Sequence, residues 1–188
     1  MNWRSVRLKL GGKKLKIVVI NGQGGCGKDT FIELCRKHRS NIFSISMIDG
    51  IKQIATQMGW EGGKSLKDRK FLSDLKDISG KYNDFPFTYT KETVENLRRL
   101  FRREELDEEL IVFIHAREPE DIRRWIEEYD AITLLIRRPV VEGNYGNHAD
   151  DRVFDLFYDY TFWNDSTIDK LEERAKLFLK ILLHENQE

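Results

Sequence analysis

The sequence predicts a single α/β domain of three layers, an open parallel sheet of five strands with helices on both faces. Short apolar, β-branched runs alternate with helix patterns along the whole of residues 1–188, without internal repeats or a low-complexity linker. Such alternation is typical of parallel sheets, because each crossover to a parallel neighbour needs a connection long enough for a helix. A glycine-rich stretch stands between the first buried run and the first helix, and 188 residues suffice for one well-formed core.

The glycine-rich stretch is the strongest signal in the chain. Residues 15–30 read LKIVVINGQGGCGKDT, a strand pattern followed by Gly-x-x-x-x-Gly-Lys and a helix pattern. This spacing predicts a phosphate-binding loop, whose backbone N–H groups point inward while the helix start and Lys28 add positive charge. The predicted contacts come from Gly22, Gly24, Gly25, Cys26, Gly27, Lys28, Asp29 and Thr30. The alternative interpretation is a glycine turn followed by a lysine on a solvated helix.

Asp29 departs from the common form of this loop, in which a Ser or Thr hydroxyl follows the lysine and meets Mg²⁺. A carboxylate is a stronger ligand for a hard cation, so Asp29 is the predicted metal residue, bound to Mg²⁺ directly or through one of its waters. Thr30 could then reach an inner phosphate. Asp29 could also serve only to complement the helix N-terminus, and both roles could hold together.

Composition and charge exclude several classes of protein. Charged residues make up 34% of the chain and balance to +0, which argues against a nucleic-acid binder that relies on bulk positive charge. No apolar run approaches 18 residues, and the N-terminus lacks the hydrophobic region of a signal peptide. The two cysteines, Cys26 and Cys35, are expected to be reduced. These features predict a soluble, cytoplasmic protein and leave open whether it is a monomer or a homodimer.

The N-terminal segment, residues 1–14, is basic and has no acidic residue. Apolar residues alternate with polar ones up to Gly11-Gly12, a pattern that predicts a hairpin adding an extra edge strand to the sheet. A basic arm without fixed structure is the alternative, and the segment is given no chemistry.

The second predicted strand, residues 42–48, ends at Asp49-Gly50. Open α/β sheets bind ligands at the carboxyl ends of their strands, so Asp49 is a candidate binding residue. The stretch 60–90 that follows could hold a second substrate. Lys64 and Arg69 flank the start of a helix there, where a cation is unfavourable unless an anion is near; two solvated basic residues are the alternative.

The helix in this stretch is predicted to begin with a Ser65–Asp68 capping box and to stop at Gly80. Its apolar positions, at Leu72, Leu75 and Ile78, predict a stripe that faces the core. Residues 81–87 then read as a loop with aromatic content, which could line a base pocket or pack against the core.

Arg117 follows the third predicted strand, residues 110–114, and precedes Pro119 at the start of a helix. Its guanidinium would face the same edge of the sheet, where a phosphate contact is favoured over an ion pair with Glu118 or Glu120. His115 lies where many phosphate-loop enzymes carry an aspartate that orients the metal ion. Asp29 could offset that missing carboxylate, and His115 itself is more often a packing or hydrogen-bonding residue than a catalyst.

The fourth predicted strand, residues 131–136, leads into Arg137-Arg138-Pro139 and a polar, glycine-containing segment up to Arg152. Residues 138–152 are predicted to form a mobile lid, whose closure would bring arginines to transferring phosphates. Ordinary surface arginines are the alternative. A fifth strand at 158–163 and a final helix capped by Ser166 complete the pattern.

The loop from Gly22 to Thr30 resembles the Gly-Lys-Asp-Thr loop of the deoxynucleoside monophosphate kinases of phages and bacteria. Residues 43–60 resemble their monophosphate-binding region, and FIHAREP at 113–119 resembles their third-strand motif. DYTFWND at 159–165 resembles a late strand shared with dephospho-coenzyme A kinases. The resemblance implies the P-loop NTPase fold and covers most of residues 15–183.

The resemblance also implies a function, transfer of the γ-phosphoryl group of ATP, with Mg²⁺, to a nucleoside monophosphate. Lys28, Arg117 and Arg137 would act on the transferring group, and Arg137, Arg138 and Arg152 would belong to the lid. The acceptor would be bound by Asp49, Lys52, Trp60, Lys64, Arg69 and Arg117. Phosphorylation of another small phosphorylated metabolite, or NTP binding by a regulatory or assembly protein, remains an alternative, and the accepted base and sugar stay open.

Overall fold

The computed structural model describes residues 15–103, 109–141 and 152–183. Its strands and helices follow the chain in the order β1 (Leu15–Asn21), α1 (Lys28–Arg36), β2 (Ile42–Ser46), α2 (Asp49–Gln57), α3 (Leu66–Asn83), α4 (Phe85–Arg103), β3 (Leu110–His115), α5 (Pro119–Tyr129), β4 (Ile132–Arg137), β5 (Tyr160–Trp163) and α6 (Ile168–Leu182). Within these ranges, none of the helices is both long and apolar enough to cross a membrane. The predicted N-terminal hairpin or arm (1–14) and the central part of the predicted lid (142–151) lie outside the described residues.

The five strands form one parallel sheet in the order β2-β3-β1-β4-β5. β1 lies at the centre, and its Ile20 is in register with His115 of β3 and Leu134 of β4. Because all strands are parallel, their carboxyl ends lie at one edge of the sheet. The glycine loop after β1, His115 at the end of β3 and Arg137 at the end of β4 therefore share this edge. The predicted three-layer α/β fold, an open parallel sheet of five strands with helices on both faces, is confirmed.

Alternate residues of β1 point to two separate cores, one on each face of the sheet. Val18 and Ile20 pack with residues of α1 and α6, whereas Ile17 and Val19 pack with residues of α4 and α5. All four side chains are at most 4% exposed, which explains why β1 reads as a continuous apolar run. Helices thus cover both faces, and the central strand is fixed on both sides directly before the loop.

The region between α2 and β3 differs from the prediction. α3 continues through Gly80 to Asn83, and Asp84 alone, with φ of 56°, separates it from α4, which begins at Phe85. The predicted loop at 81–87 and the stop at Gly80 are therefore wrong. Asp84 adopts a left-handed conformation that caps α3, and its two carboxylate oxygens accept hydrogen bonds of 2.8 and 2.6 Å from Arg124 of α5.

The apolar stripe predicted for α3 does not reach the core, because no residue of this helix is buried: Leu72 and Leu75 are half-buried, and Ile78 is 66% exposed. The predicted capping box is confirmed, since the Ser65 hydroxyl accepts from Asp68 N while an Asp68 oxygen accepts from Ser65 N. The cap of the final helix is Thr167 rather than Ser166, because the Thr167 hydroxyl accepts from Lys170 N.

Candidate phosphate-binding and acceptor site

The glycine loop between β1 and α1 owes its shape to three glycines with positive φ. Gly22 has φ of 143°, Gly25 of 78° and Gly27 of 100°, values that L side chains rarely adopt. Gly24 is not among the positive-φ glycines, so its backbone conformation places no such demand on the residue. Gly27 directly precedes α1, so the loop ends at the N-terminus of that helix, where the first backbone N–H groups carry partial positive charge.

Two asparagines hold the loop from outside. Asn164, after β5, donates from Nδ2 to the carbonyl of Cys26 at 2.9 Å. Asn21 accepts the N–H of Gly22 on Oδ1 at 2.7 Å and donates from Nδ2 to the Tyr158 hydroxyl at 2.8 Å. The Tyr158 hydroxyl in turn donates to the carbonyl of Val153 at 2.7 Å. The loop conformation is therefore fixed by contacts from distant parts of the chain.

Sequence reasoning missed Asn21, Asn164 and Tyr158 as residues of the site. Asn164 lies in the DYTFWND stretch, so its motif carried a signal, but nothing in the sequence states which loop its amide would reach. Asn21 is 1% exposed, and a buried amide at the end of an apolar strand is a sign that a specific partner exists.

Lys28 points its ammonium back into the loop. Nζ donates to the carbonyls of Gly22 at 2.6 Å and Gln23 at 2.9 Å, and it lies 3.6 Å from the sulfur of Cys26. Burial raises the pKa of the Cys26 thiol, although Lys28 opposes this shift, so the thiol stays protonated at neutral pH. Cys26 is therefore a packing residue under the loop, and only its backbone is suited to an anion.

Asp29 and His115 meet between the loop and the end of β3. The Asp29 side chain is 93% exposed, and its Oδ1 lies 3.6 Å from Nε2 of His115. The same nitrogen lies 3.0 Å from the Ser44 hydroxyl of β2. Burial lowers the pKa of His115, with Lys28 and Lys52 acting in the same direction and Asp29 and Asp49 opposing them. The imidazole is therefore neutral at pH 7.

Asp49 and Lys52 form the neighbouring part of the same edge. Asp49 accepts the Ser46 N–H on Oδ2 at 2.7 Å, and Lys52 donates to Oδ1 at 3.0 Å. Both side chains stay about 40% exposed, so solvent or a ligand can reach them. Next to Asp49, a Cβ on Gly50 would lie 2.7 Å from the Tyr89 ring, which shows how closely α2 approaches α4.

The other residues predicted to bind the acceptor fall into two groups. Arg117 is half-buried at the strand edge, where its carbonyl lies 3.5 Å from the Asn21 amide. Trp60 is half-buried before α3, while Lys64 and Arg69 are exposed around the start of that helix. Asp49, Lys52 and Arg117 are thus brought to one edge. The contacts within the described residues do not tie Lys64 or Arg69 to it.

The three predicted lid arginines have different surroundings. Arg137 lies over the rings of Trp163, at 4.3 Å from the ring centre, and Phe154, at 4.8 Å. Arg138 donates to the carbonyl of Gly25 in the loop at 3.4 Å. Arg152 pairs with Glu118, Glu120 and Asp155 at 2.9 to 3.4 Å. Arg138 thus reaches the loop, while in this conformation Arg152 is held by carboxylates.

Neither a protein-family model nor a curated protein matches this sequence. Solved structures of similar fold include a thymidylate kinase from Ehrlichia chaffeensis, with 12% identity, coverage of 88% of this chain and 99% of that one, and a TM-score of 0.49. A dephospho-CoA kinase from Campylobacter jejuni has 13% identity, coverage of 89% and 97%, and a TM-score of 0.47. A shikimate kinase from Acinetobacter baumannii in complex with shikimate has 14% identity, coverage of 94% and 97%, and a TM-score of 0.47. At these identities the likeness is one of chain fold alone.

Proposed function

We propose that this protein is a P-loop kinase that transfers the γ-phosphoryl group of ATP to the phosphate of a nucleoside monophosphate. The observation that carries the proposal is the loop itself, with Lys28 Nζ turned into its concave side between two carbonyls. Three of its glycines have positive φ, which allows the backbone to curve around an anion, and the start of α1 adds positive potential. A phosphate chain seated there would replace the carbonyls as the partner of Lys28.

The residues around the loop fit a nucleotide accompanied by a divalent cation. Asp29 lies in the first turn of α1 beside Lys28, with its carboxylate almost fully exposed and directed towards His115. Carboxylate oxygen suits Mg²⁺, which proteins usually hold by one or two side chains plus phosphate oxygens and water. Asp29 would hold the ion, which when bound neutralises negative charge on the β- and γ-phosphate oxygens.

The acceptor is proposed to lie along the edge formed by Asp49, Lys52 and Arg117. An oxygen of its phosphate would form a bond to the γ-phosphorus while the bond to the β,γ-bridging oxygen breaks, which releases ADP. Arg117 would hold the acceptor phosphate through paired N–H donors, and Lys28 would stay with the transferring group. Asp49, fixed by Ser46 N–H and Lys52, would accept a hydroxyl or amino donor of the acceptor.

Arg138 and Arg137 are proposed to complete the donor side. Arg138 already touches the loop at Gly25, so a small movement would bring its guanidinium to a phosphate. Arg137 is placed by its stacking on Trp163 at the end of β5, next to Asn164, which supports the loop. The role of Arg152 in closure would require it to leave its three carboxylate partners.

The direct test is ADP release from ATP and Mg²⁺, measured against a panel of ribo- and deoxyribonucleoside monophosphates. Stimulation by one or a few members would establish the acceptor class and identify the base and sugar together. ATP binding without stimulation by any member would contradict the nucleotide acceptor and leave another phosphorylated metabolite or non-catalytic binding. Absence of ATP binding would contradict the proposal altogether.

Replacing Arg117 by alanine should separate acceptor binding from ATP binding. Its side chain is assigned to the acceptor, whereas its backbone carbonyl, which contacts Asn21, is kept in the variant. We expect kcat/KM for the acceptor to fall by about a hundredfold or more, with ATP affinity within about twofold of the wild type. Steady-state kinetics and calorimetric titration with ATP measure the two effects.

The matched control is Arg123→Ala, which removes an exposed arginine of α5 six residues along the chain. It should leave both quantities unchanged. An equal loss of ATP and acceptor binding in Arg117→Ala would remove Arg117 from the acceptor site.

A further inference from the structure

We propose that His115 binds the nucleotide-associated divalent cation directly through Nε2, and that the site therefore favours a transition ion such as Mn²⁺ over Mg²⁺. This inference rests on the proposed binding of a metal–nucleotide complex at the loop and specifies the cation of that same site.

The first support is the separation of the two donor atoms. Asp29 Oδ1 and His115 Nε2 lie 3.6 Å apart, between the glycine loop and the end of β3. Consider two ligand atoms that each lie about 2.1 Å from one ion. They are about 3.0 Å apart when they subtend a right angle at the ion and about 4.2 Å apart when they lie on opposite sides of it. The observed separation is about 0.6 Å longer than the right-angle value, so rotation of the exposed Asp29 side chain would bring both atoms to neighbouring positions on one ion without rearrangement of the strand or the helix.

The second support is the direction of the imidazole. His115 is only 17% exposed, yet Nε2 is directed to the polar edge, where it meets Asp29 and the Ser44 hydroxyl rather than the apolar core. In the neutral ring one nitrogen carries a lone pair, and Nε2 can present it once Ser44 turns its hydroxyl to a bound water. Ser44 thus offers a place for a water of the ion.

The third support is the exchange of ligand types between two positions. The residue after the loop lysine is a carboxylate instead of a hydroxyl, and the strand end carries an imidazole where a carboxylate is common. The site therefore retains one carboxylate and gains a nitrogen donor. Mg²⁺ strongly prefers oxygen ligands, whereas affinity for nitrogen donors rises along the first transition series from Mn²⁺.

The other charged groups near His115 already have partners of their own. Lys28 faces the loop, and Asp49 has its two oxygens engaged by Ser46 N–H and Lys52. Within the described part of the chain no group of three or more metal-binding side chains exists. The two donors alone would bind an ion weakly, so phosphate oxygens and water must fill the remaining positions, which makes binding dependent on the nucleotide.

The test uses the full chain with Mn²⁺ and ADP, examined by pulsed electron paramagnetic resonance. A nitrogen bound to Mn²⁺ produces ¹⁴N hyperfine modulation, which we expect in the wild type and in His38→Gln. His38 is the matched control, because it is exposed in the turn after α1, where it contacts Glu172. The modulation should be absent from His115→Gln, with thermal unfolding confirming that each variant is folded.

A second measurement compares ADP affinity in Mn²⁺ with that in Mg²⁺. We expect a preference for Mn²⁺ of about tenfold in the wild type and its loss in His115→Asp, which restores a carboxylate at the strand end. Bound Mn²⁺ and ADP without ¹⁴N modulation, or modulation that survives in His115→Gln, would overturn the inference and leave the kinase proposal standing. If ADP fails to bind with either ion, both the inference and the proposed function are overturned.

Discussion

Lys28→Ala is expected to reduce ATP-dependent phosphoryl transfer by about a thousandfold or more while the protein stays folded. The Lys28 ammonium lies on the concave side of the loop, where Nζ donates to the carbonyl oxygens of Gly22 at 2.6 Å and Gln23 at 2.9 Å. In the proposed reaction charge moves onto the bridging oxygen as ADP leaves, and alanine has no donor to stabilise it. ADP release with the best acceptor of the nucleotide panel measures the effect.

The folded state should tolerate this substitution because the hydrogen bonds of Lys28 are made within the loop. We expect the midpoint of thermal unfolding to fall by about 4 °C or less, which corresponds to about 1 kcal/mol for a domain of this size. Lys37→Ala is the control, since it removes an exposed lysine directly after α1 that pairs with Glu172. Loss of the fold in Lys28→Ala, or retention of full activity, would refute the catalytic assignment of Lys28.

The fold could be predicted from the sequence because each central strand is marked by its own short run of apolar residues. β1 is buried on both faces, so every residue from Ile17 to Ile20 is apolar, and the loop after it needs glycine at defined positions. The parallel arrangement then places Asp49, His115 and Arg137 at one edge without any further information. Placement at the edge was predictable for these residues, although their binding roles stay predictions.

Contacts between segments that are distant along the chain could not be predicted from the sequence. The support of the loop by Asn164 joins residues 138 positions apart, and no local pattern specifies such a partner. At the direct junction of α3 and α4, Asp84 is the single residue between the helices, and Arg124 of α5 pairs with its carboxylate. Without that contact, an Asn-Asp-Phe-Pro stretch reads as a loop. The pairing of Arg152 with Glu118 and Glu120 was unpredictable for the same reason.

Gly22→Ala should have the largest effect on stability, because two independent costs meet at this position. Its φ of 143° lies in a region that L residues rarely adopt, which costs about 1–3 kcal/mol. A Cβ would also lie 2.4 Å from the carbonyl oxygen of Ile136 in β4 and 2.6 Å from the Cys26 sulfur. Relief of this clash would require separation of β1 from β4, and overpacking of this kind costs a further 1–3 kcal/mol or so. We expect a loss of about 3 kcal/mol or more, measured by urea denaturation.

Gly59→Ala provides the matched control, because it separates strain from crowding. Gly59 has a comparable positive φ of 94°, yet a Cβ there would meet no atom within 4 Å. Only the strain of about 1–2 kcal/mol applies, and nucleotide binding should be unaffected since Gly59 lies after α2. In Gly22→Ala the folded fraction should also lose nucleotide affinity, because the first residue of the loop is displaced from β4. Equal losses of stability in the two variants would mean that β4 yields to the new methyl group. Unchanged nucleotide affinity in Gly22→Ala would contradict the rigid junction between β1 and the glycine loop.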